Sequence, residues 1–123
     1  MVDTHEFALR AAEAADAKKA IDIQILDLRG LTSITDYFVV CSGTSTTHVS
    51  AIADGVERVL KESGQHPSHI EGAGESTWVL MDYGDVVVHV FEEQTRAFYA
   101  LERLWGDAPR KKLRAGSLQG AVS

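Results

Sequence analysis

The sequence predicts a single mixed α/β domain in which a mixed sheet of about five strands is flanked by helices. Three observations indicate this class. The 123 residues suffice for one core, since area scaling predicts a folded surface of about 6,500 Å² from about 19,000 Å² unfolded. Helical and strand patterns alternate in the order α β β α β β β α. A tight hairpin is indicated at Tyr83-Gly84, between two strand-like segments.

The first half of the chain predicts one helix and two strands. Residues 5–20 carry apolar side chains at three- and four-residue steps, which is typical of a helix with one packed face. Residues 22–28 alternate apolar with polar side chains and predict a half-buried strand. Residues 37–41 have the apolar sequence YFVVC, which predicts a strand covered on both faces.

The second half predicts a capped helix, three strands and a final helix. Ser45, Thr46 or Thr47 can cap the helix that follows SGTSTT, and Gly64 can end it in the left-handed conformation. Strand patterns follow at residues 68–73, 77–81 and 85–91, and a helical period follows at residues 93–105. The valine run of the third strand pattern, DVVVHVF, predicts an interior strand.

Charge divides the chain into a domain at residues 1–109 and a short basic tail at residues 110–123. The chain carries 12 basic and 18 acidic residues, a net charge of −6. Four of the bases and no acid lie in the tail, which is expected to be disordered: Arg110, Lys111, Lys112 and Arg114. An acidic body is repelled by nucleic-acid phosphates and suits a basic protein partner, and the tail could add a minor RNA contact beside it.

The chain shows no sign of a membrane or secretory protein. No apolar run approaches the roughly 20 residues that span a bilayer. The N-terminal segment alternates charged residues with alanine and lacks the basic start and apolar run of a secretory signal. The expected compartment is therefore the cytoplasm.

Cysteine and histidine give little indication of catalysis or metal binding. Cys41 is the single cysteine, which excludes a disulfide framework and a multi-cysteine metal site, and its apolar context favours a core residue over a reactive thiol. His66 and His69 flank Pro67 and favour a loop pair without a metal over helical ligands. His89 lies in a strand and favours a satisfied, partly buried ring. No cofactor is expected.

The turn at Ser42–Thr46 suggests an alternative function. A Gly-containing turn before a helix N-terminus can bind an anion, and this one resembles the Gly-Ser turn of nucleotidyltransferases. Such enzymes also need two carboxylates one residue apart on the next strand, and no such pair follows. Helix capping is favoured, and a nucleotidyltransferase-like or phosphate-binding enzyme stays the alternative.

A set of aromatic, aliphatic and acidic residues around the hairpin has the composition of a docking surface for a basic protein. Its members are Trp78, Leu80, Met81, Asp82, Tyr83 and Asp85. The other interpretation is that Trp78 covers the sheet, and composition does not decide between the two. Asp36 and Tyr37 are weaker candidates, since a cap before a strand and a core aromatic explain them better.

Four blocks of sequence resemble the ribosome silencing factor family, also called the RsfS or Iojap-like family. In chain order they are DLRGLTSITDYFVVCSGTS, AIADGVERVLKESG, WVLMDYGDVVVHVF and FYALERLWGDAPR. The resemblance runs from about residue 5 to residue 110, and its motifs are long and specific. The tail after Arg110 lies outside it.

The resemblance implies a fold related to nucleotidyltransferases but without their catalytic carboxylates, and hence a protein that is not an enzyme. It implies binding to a conserved basic protein of the large ribosomal subunit, the fourteenth in the standard naming, on the face that meets the small subunit. Occupation of that face would block subunit joining and lower translation when nutrients fall. The resemblance also implies a homodimer when the protein is off the ribosome.

Overall fold

A mixed β-sheet with helices on one face organises the chain. The structure, a computed structural model, describes residues 3–95 and 109–113. In chain order its helices and strands are α1 (Thr4–Ala17), β1 (Ile21–Asp27), β2 (Tyr37–Gly43), α2 (Thr46–Glu62), β3 (His69–Glu71), β4 (Trp78–Asp82), β5 (Val86–Glu92) and β6 (Arg110–Leu113). The predicted fold class, a single mixed α/β domain, is confirmed.

The strands lie side by side in the order β3-β4-β5-β2-β1-β6. β2 and β5 pair in parallel, and the other four neighbouring pairs are antiparallel. A parallel pair needs a long crossover, which here contains α2, β3 and β4. The prediction that β2 and β5 are interior strands is confirmed, since nearly all their side chains are buried.

The helices α1 and α2 cover one face of the sheet and form the main core with it. α1 contributes mostly alanines, which allow close approach, and α2 contributes one stripe that includes Val49, Ile52 and Val56. The predicted ends of α2 are confirmed. The Ser45 hydroxyl accepts a hydrogen bond from the His48 N–H at 3.1 Å, and Gly64 follows the helix with φ +83°.

The opposite face of the sheet carries a second apolar cluster. Leu26, Leu28, Val40 and Phe91 are fully buried in it, and Phe38 and Trp78 pack against it partly exposed. Because side chains alternate along a strand, β1, β2 and β5 each contribute to both clusters. The central strands are therefore buried on both faces.

Residues 110–113 correct the predicted tail and strand count. They form β6, which pairs with β1 from Ile23–Leu113 to Leu26–Arg110, so the sheet has six strands and the ordered domain extends past residue 109. A run of basic residues has low strand propensity, but the ladder uses backbone groups, and lysine is typical of edge strands because it discourages aggregation. The sequence pattern therefore did not indicate this edge strand.

The predicted helix at residues 93–105 lies only partly within the described residues. Residues 93–95 are helical, in agreement with the start of the predicted helix at 93–105, whereas residues 96–108 lie outside the described residues. Among the described helices none is long and apolar enough to cross a bilayer.

The turn between β3 and β4 depends on Gly72. Its φ is +84°, and a Cβ at this position would overlap the carbonyl oxygen of Trp78. The Ser76 N–H donates to the Gly72 carbonyl at 2.9 Å, and the Ser76 hydroxyl donates to the Ala73 carbonyl at 2.9 Å. Both the dihedral angle and the close approach therefore require glycine where the chain enters β4.

We expect Gly72→Ala to lower the free energy of unfolding by at least about 2 kcal/mol, because it adds a steric overlap to an unfavourable φ. Urea denaturation measures the loss. Gly64→Ala has the same φ problem with open space around the Cβ and should lose about 1 kcal/mol. Gly74→Ala has neither problem. Equal effects at all three positions would contradict this account.

His89 is an ionisable side chain inside the second cluster, at 3% exposure. Its ring packs edge-on against Phe38 at 4.6 Å between centroids and lies parallel to Phe91. Burial disfavours the charged ring and lowers the pKa of His89 from 6.5 to about 4. The folded protein therefore holds this histidine neutral.

This burial predicts lower stability in acid. Between pH 6.5 and about 4 the unfolded chain protonates His89 and the folded chain does not, so stability falls as the pH falls through this window. From pH 7 to pH 5 the loss from this group should be about 2 kcal/mol. Urea denaturation at the two pH values, with His89→Phe as the comparison, measures it. An equal pH dependence in both proteins would contradict the prediction.

Candidate docking face

The strand β4 divides the predicted docking residues between the two faces of the sheet. Val79 and Met81 are each 1% exposed and belong to the core beneath the helices. Trp78, Leu80 and Asp82 alternate with them and lie on the opposite face, all partly exposed. The structure therefore brings three of the six predicted residues together on one face.

Met81 and Tyr83 are corrections to the predicted patch. Met81 is buried in the core, so it is not available to a partner. Tyr83 turns toward the helices, where its ring packs edge-on against Phe7 at 5.3 Å. Burial, with the charge of Glu57 as a second cause, raises the pKa of Tyr83 to about 12. Sequence proximity suggested one patch, whereas the alternation of β4 and the hairpin turn separates these two from Trp78.

Trp78 is the largest side chain on the partly exposed face. Its indole stacks on Phe91 at 4.9 Å with an interplanar angle of 27°. The indole N–H donates to Nδ1 of His89 at 3.1 Å. Stacking and a hydrogen bond thus hold a partly exposed aromatic ring against the buried cluster, which is the arrangement of an interface anchor.

Acidic groups continue this face to the end of the sheet. Asp82 accepts the Gly84 N–H at 2.8 Å, and Gly84 has φ +90°, as predicted for the hairpin turn. Asp85 is exposed at the tip. We call Trp78, Leu80, Asp82 and Asp85 the docking face. In β3, Glu71 pairs across from Leu80 and adds a further exposed carboxylate beside it.

Of the weaker candidates, Tyr37 is a core residue, and the backbone of Asp36 forms two hydrogen bonds. Tyr37 is 2% exposed in the main core, and the Arg29 guanidinium lies 5.2 Å from its ring centroid. Burial raises the pKa of Tyr37. The Asp36 carbonyl accepts the Leu28 N–H at 2.8 Å, and the Asp36 N–H donates to the Asp85 carbonyl at 2.9 Å. The interpretation of Tyr37 as a core aromatic is confirmed.

The loop between β1 and β2 presents two aliphatic side chains that sequence reasoning missed. Leu31 is 44% exposed and Ile34 84%, the two large exposed hydrophobic residues of the described chain. Arg29 forms a bidentate pair with Asp27 at 2.9 and 2.7 Å, which braces the loop and lowers the pKa of Asp27. The signal was available: two aliphatic residues within the otherwise polar connector LTSITD.

This loop lies at the same end of the sheet as the hairpin tip. The N–H groups of Asp36 and Tyr37 donate to the Asp85 carbonyl at 2.9 and 3.1 Å, and β2 and β5 begin side by side at Tyr37 and Val86. The exposed apolar loop therefore lies beside the hairpin tip at Asp85.

The turn at Ser42–Thr46 supports the capping interpretation. Ser45 caps α2, and the Thr44 N–H donates to Nδ1 of His48 at 2.9 Å. The other ring nitrogen of His48 lies 2.9 Å from the Lys18 carbonyl, so this histidine ties α1 to the start of α2. No group of three or more potential metal ligands occurs in the part of the chain that the structure describes.

Known proteins share this fold and much of this sequence. The chain is 47% identical over 109 residues to the ribosomal silencing factor RsfS of Bacillus subtilis, covering 89% of this chain and 92% of that protein. It is 35% identical over 91 residues to the mitochondrial assembly of ribosomal large subunit protein 1 of Mus musculus, covering 72% and 40%. A crystal structure of a Chromobacterium violaceum protein, 36% identical, superposes with a TM-score of 0.84 over 97% of this chain and 100% of that one. The family model described as "Ribosomal silencing factor during starvation" matches residues 2–121, and the chain belongs to that family.

Proposed function

We propose that this protein represses translation by binding the large ribosomal subunit and sterically blocking the small subunit from joining it, so that translation falls under nutrient limitation. The observation that carries the proposal is the docking face: a stacked, partly exposed Trp78 beside Leu80 and followed by carboxylates. Family membership supports the regulatory role, and the name of the mouse relative refers to the large ribosomal subunit.

The chemistry of the docking face fits a basic ribosomal protein as the direct partner. Asp82 and Asp85 lie next to the apolar residues, and Glu71 flanks them. Lysine and arginine on the partner would be attracted to this potential, which raises the association rate and selects the orientation of docking. Ribosomal RNA would be repelled by the same carboxylates.

Occupancy alone is sufficient for this function. A protein of 13.4 kDa can cover a standard interface of about 800 Å² per partner. The residues proposed for this contact are those of the docking face and of the loop with Ile34. Steric exclusion requires neither a catalytic group nor a cofactor, so we infer that the protein is not an enzyme.

The free protein is proposed to form a homodimer in the cytoplasm. A partly exposed tryptophan and an exposed aliphatic loop favour self-association, because burial of apolar area drives it. Use of the same docking face in the dimer and on the ribosome would make the two states mutually exclusive.

A minor contact with ribosomal RNA is proposed for the basic segment that contains β6. Its bases are Arg110, Lys111, Lys112 and Arg114. β6 is an edge strand on the far side of the sheet from β3, so an RNA contact there would be separate from the acidic docking face.

We expect Trp78→Ala to weaken binding to the large subunit by more than about 30-fold, the effect of losing an interface anchor. Purified subunits are mixed with each protein and separated on a density gradient. The unaltered protein should migrate with large subunits and reduce joined ribosomes, whereas Trp78→Ala should do neither. Unchanged inhibition by a folded Trp78→Ala protein would refute the docking face.

Two exposed substitutions separate docking from folding. Asp85→Lys changes the hairpin tip, and Asp54→Lys makes the same charge change on exposed α2, which covers the opposite side of the sheet. Asp85→Lys should slow association with large subunits, while Asp54→Lys should leave subunit joining inhibited.

Ile34→Ser, at a side chain 84% exposed, should weaken binding without destabilising the fold.

The RNA contact predicts a change in salt dependence. Replacement of Lys111 and Lys112 by Gln should reduce the slope of log affinity against log salt by about 2 if both contact phosphates. Large-subunit binding measured at several salt concentrations gives the slope. An unchanged slope would show that the basic segment is not in contact with RNA.

A further inference from the structure

We propose that His89 is a positioning residue for the docking face: it fixes the orientation of the Trp78 indole from beneath. The inference rests on the proposed function, since it concerns how that face is prepared for its partner. His89 would never touch the partner, because only 3% of it is exposed.

The two side chains come from neighbouring strands. β4 and β5 are antiparallel, with Leu80 opposite His89 and Trp78 opposite Phe91. Trp78 therefore lies diagonally from His89 on the same face, within reach of a side-chain contact. Phe91 supports the flat side of the indole at 4.9 Å, and His89 Nδ1 accepts its N–H at 3.1 Å.

The hydrogen bond determines the tautomer of His89. Nδ1 accepts the indole proton, so it carries none itself, and the proton of a neutral imidazole must lie on Nε2. Burial holds the ring neutral by lowering the pKa of His89 to about 4. The histidine is thereby kept as a pure acceptor toward Trp78.

The other ring nitrogen argues against simple packing. Nε2 is buried and has no hydrogen-bond partner within the described part of the protein. A buried N–H without a partner is unfavourable by about 1–3 kcal/mol. Phenylalanine would fill a similar volume between Phe38 and Phe91 without this penalty, but it would remove the acceptor of the Trp78 indole N–H.

The hydrogen bond supplies a constraint that stacking does not. An indole can slide or flip over on Phe91 and keep most of its stacking contact. A directional bond from the indole N–H selects one orientation, and the exposed edge of the ring then faces a partner in a defined way. A preorganised anchor loses less side-chain freedom on binding.

Three variants test this role. His89→Phe keeps an aromatic ring and removes the acceptor. His89→Asn is the conservative rescue, because its amide oxygen can take the place of Nδ1. Trp78→Ala removes the anchor itself. The measurements are large-subunit affinity from gradient binding and the indole ¹H–¹⁵N signal of Trp78, with Trp105 as the internal reference.

We expect His89→Phe to shift the Trp78 indole signal away from its hydrogen-bonded position and to weaken large-subunit binding by about fivefold to tenfold. His89→Asn should restore part of both. A folded His89→Phe protein with unchanged affinity would overturn the inference while the loss in Trp78→Ala still supported the docking face.

The outcomes separate the two proposals. Unchanged affinity in Trp78→Ala would overturn the docking face itself, whatever His89 does. If His89→Phe fails to fold, the His89→Asn variant decides. Positioning is supported if this variant retains the indole signal and the affinity to the same degree. A wild-type indole signal with lost affinity, or wild-type affinity with a shifted signal, overturns the inference.

Discussion

The structure depends on the burial of both faces of the central strands, β2 and β5. Their parallel ladder runs from Tyr37–Val86 to Gly43–Glu92, and almost every side chain along it is removed from water. Such a pair needs an apolar layer on each side. α1 and α2 supply one layer, and the cluster around Phe91 and Leu26 forms the other. The other four strands extend the sheet outward from this pair, with β4 and β3 beside β5 and with β1 and β6 beside β2.

The candidate site is a consequence of that arrangement. β4 lies one strand out from β5, so its inner face joins the main core while its outer face is only partly buried. The three-residue β3 pairs with β4 only from Leu80 to Asp82, so no strand pairs with Trp78 on that side. The Trp78 side chain therefore contacts the buried cluster and is still partly exposed. The parallel start of β2 and β5 also brings the loop with Ile34 beside the hairpin tip.

Local sequence patterns predicted most of the fold, and four of the six residues predicted for the patch stay in the docking face. Periodicity identified the strands at β1, β2, β4 and β5, and capping residues identified the ends of α2, because these signals are local. β6 was missed because a basic edge strand is held by backbone pairing. The orientation of Tyr83 and the bond between Trp78 and His89 depend on contacts across strands. The implied relation to nucleotidyltransferases stays a prediction.

The buried polar atoms show where the fold departs from its most stable packing. Within the described residues four such side-chain atoms lack a hydrogen-bond partner, in Gln24, Thr35, Tyr83 and His89. Thr35 lies in the loop beside the hairpin tip and His89 lies under Trp78, whereas Tyr83 faces the helices and Gln24 lies in β1. Such groups are few in native proteins, so each requires a physical explanation. For His89 the explanation lies in its other ring nitrogen, which accepts the Trp78 indole N–H and so holds the largest side chain of the docking face against the buried cluster.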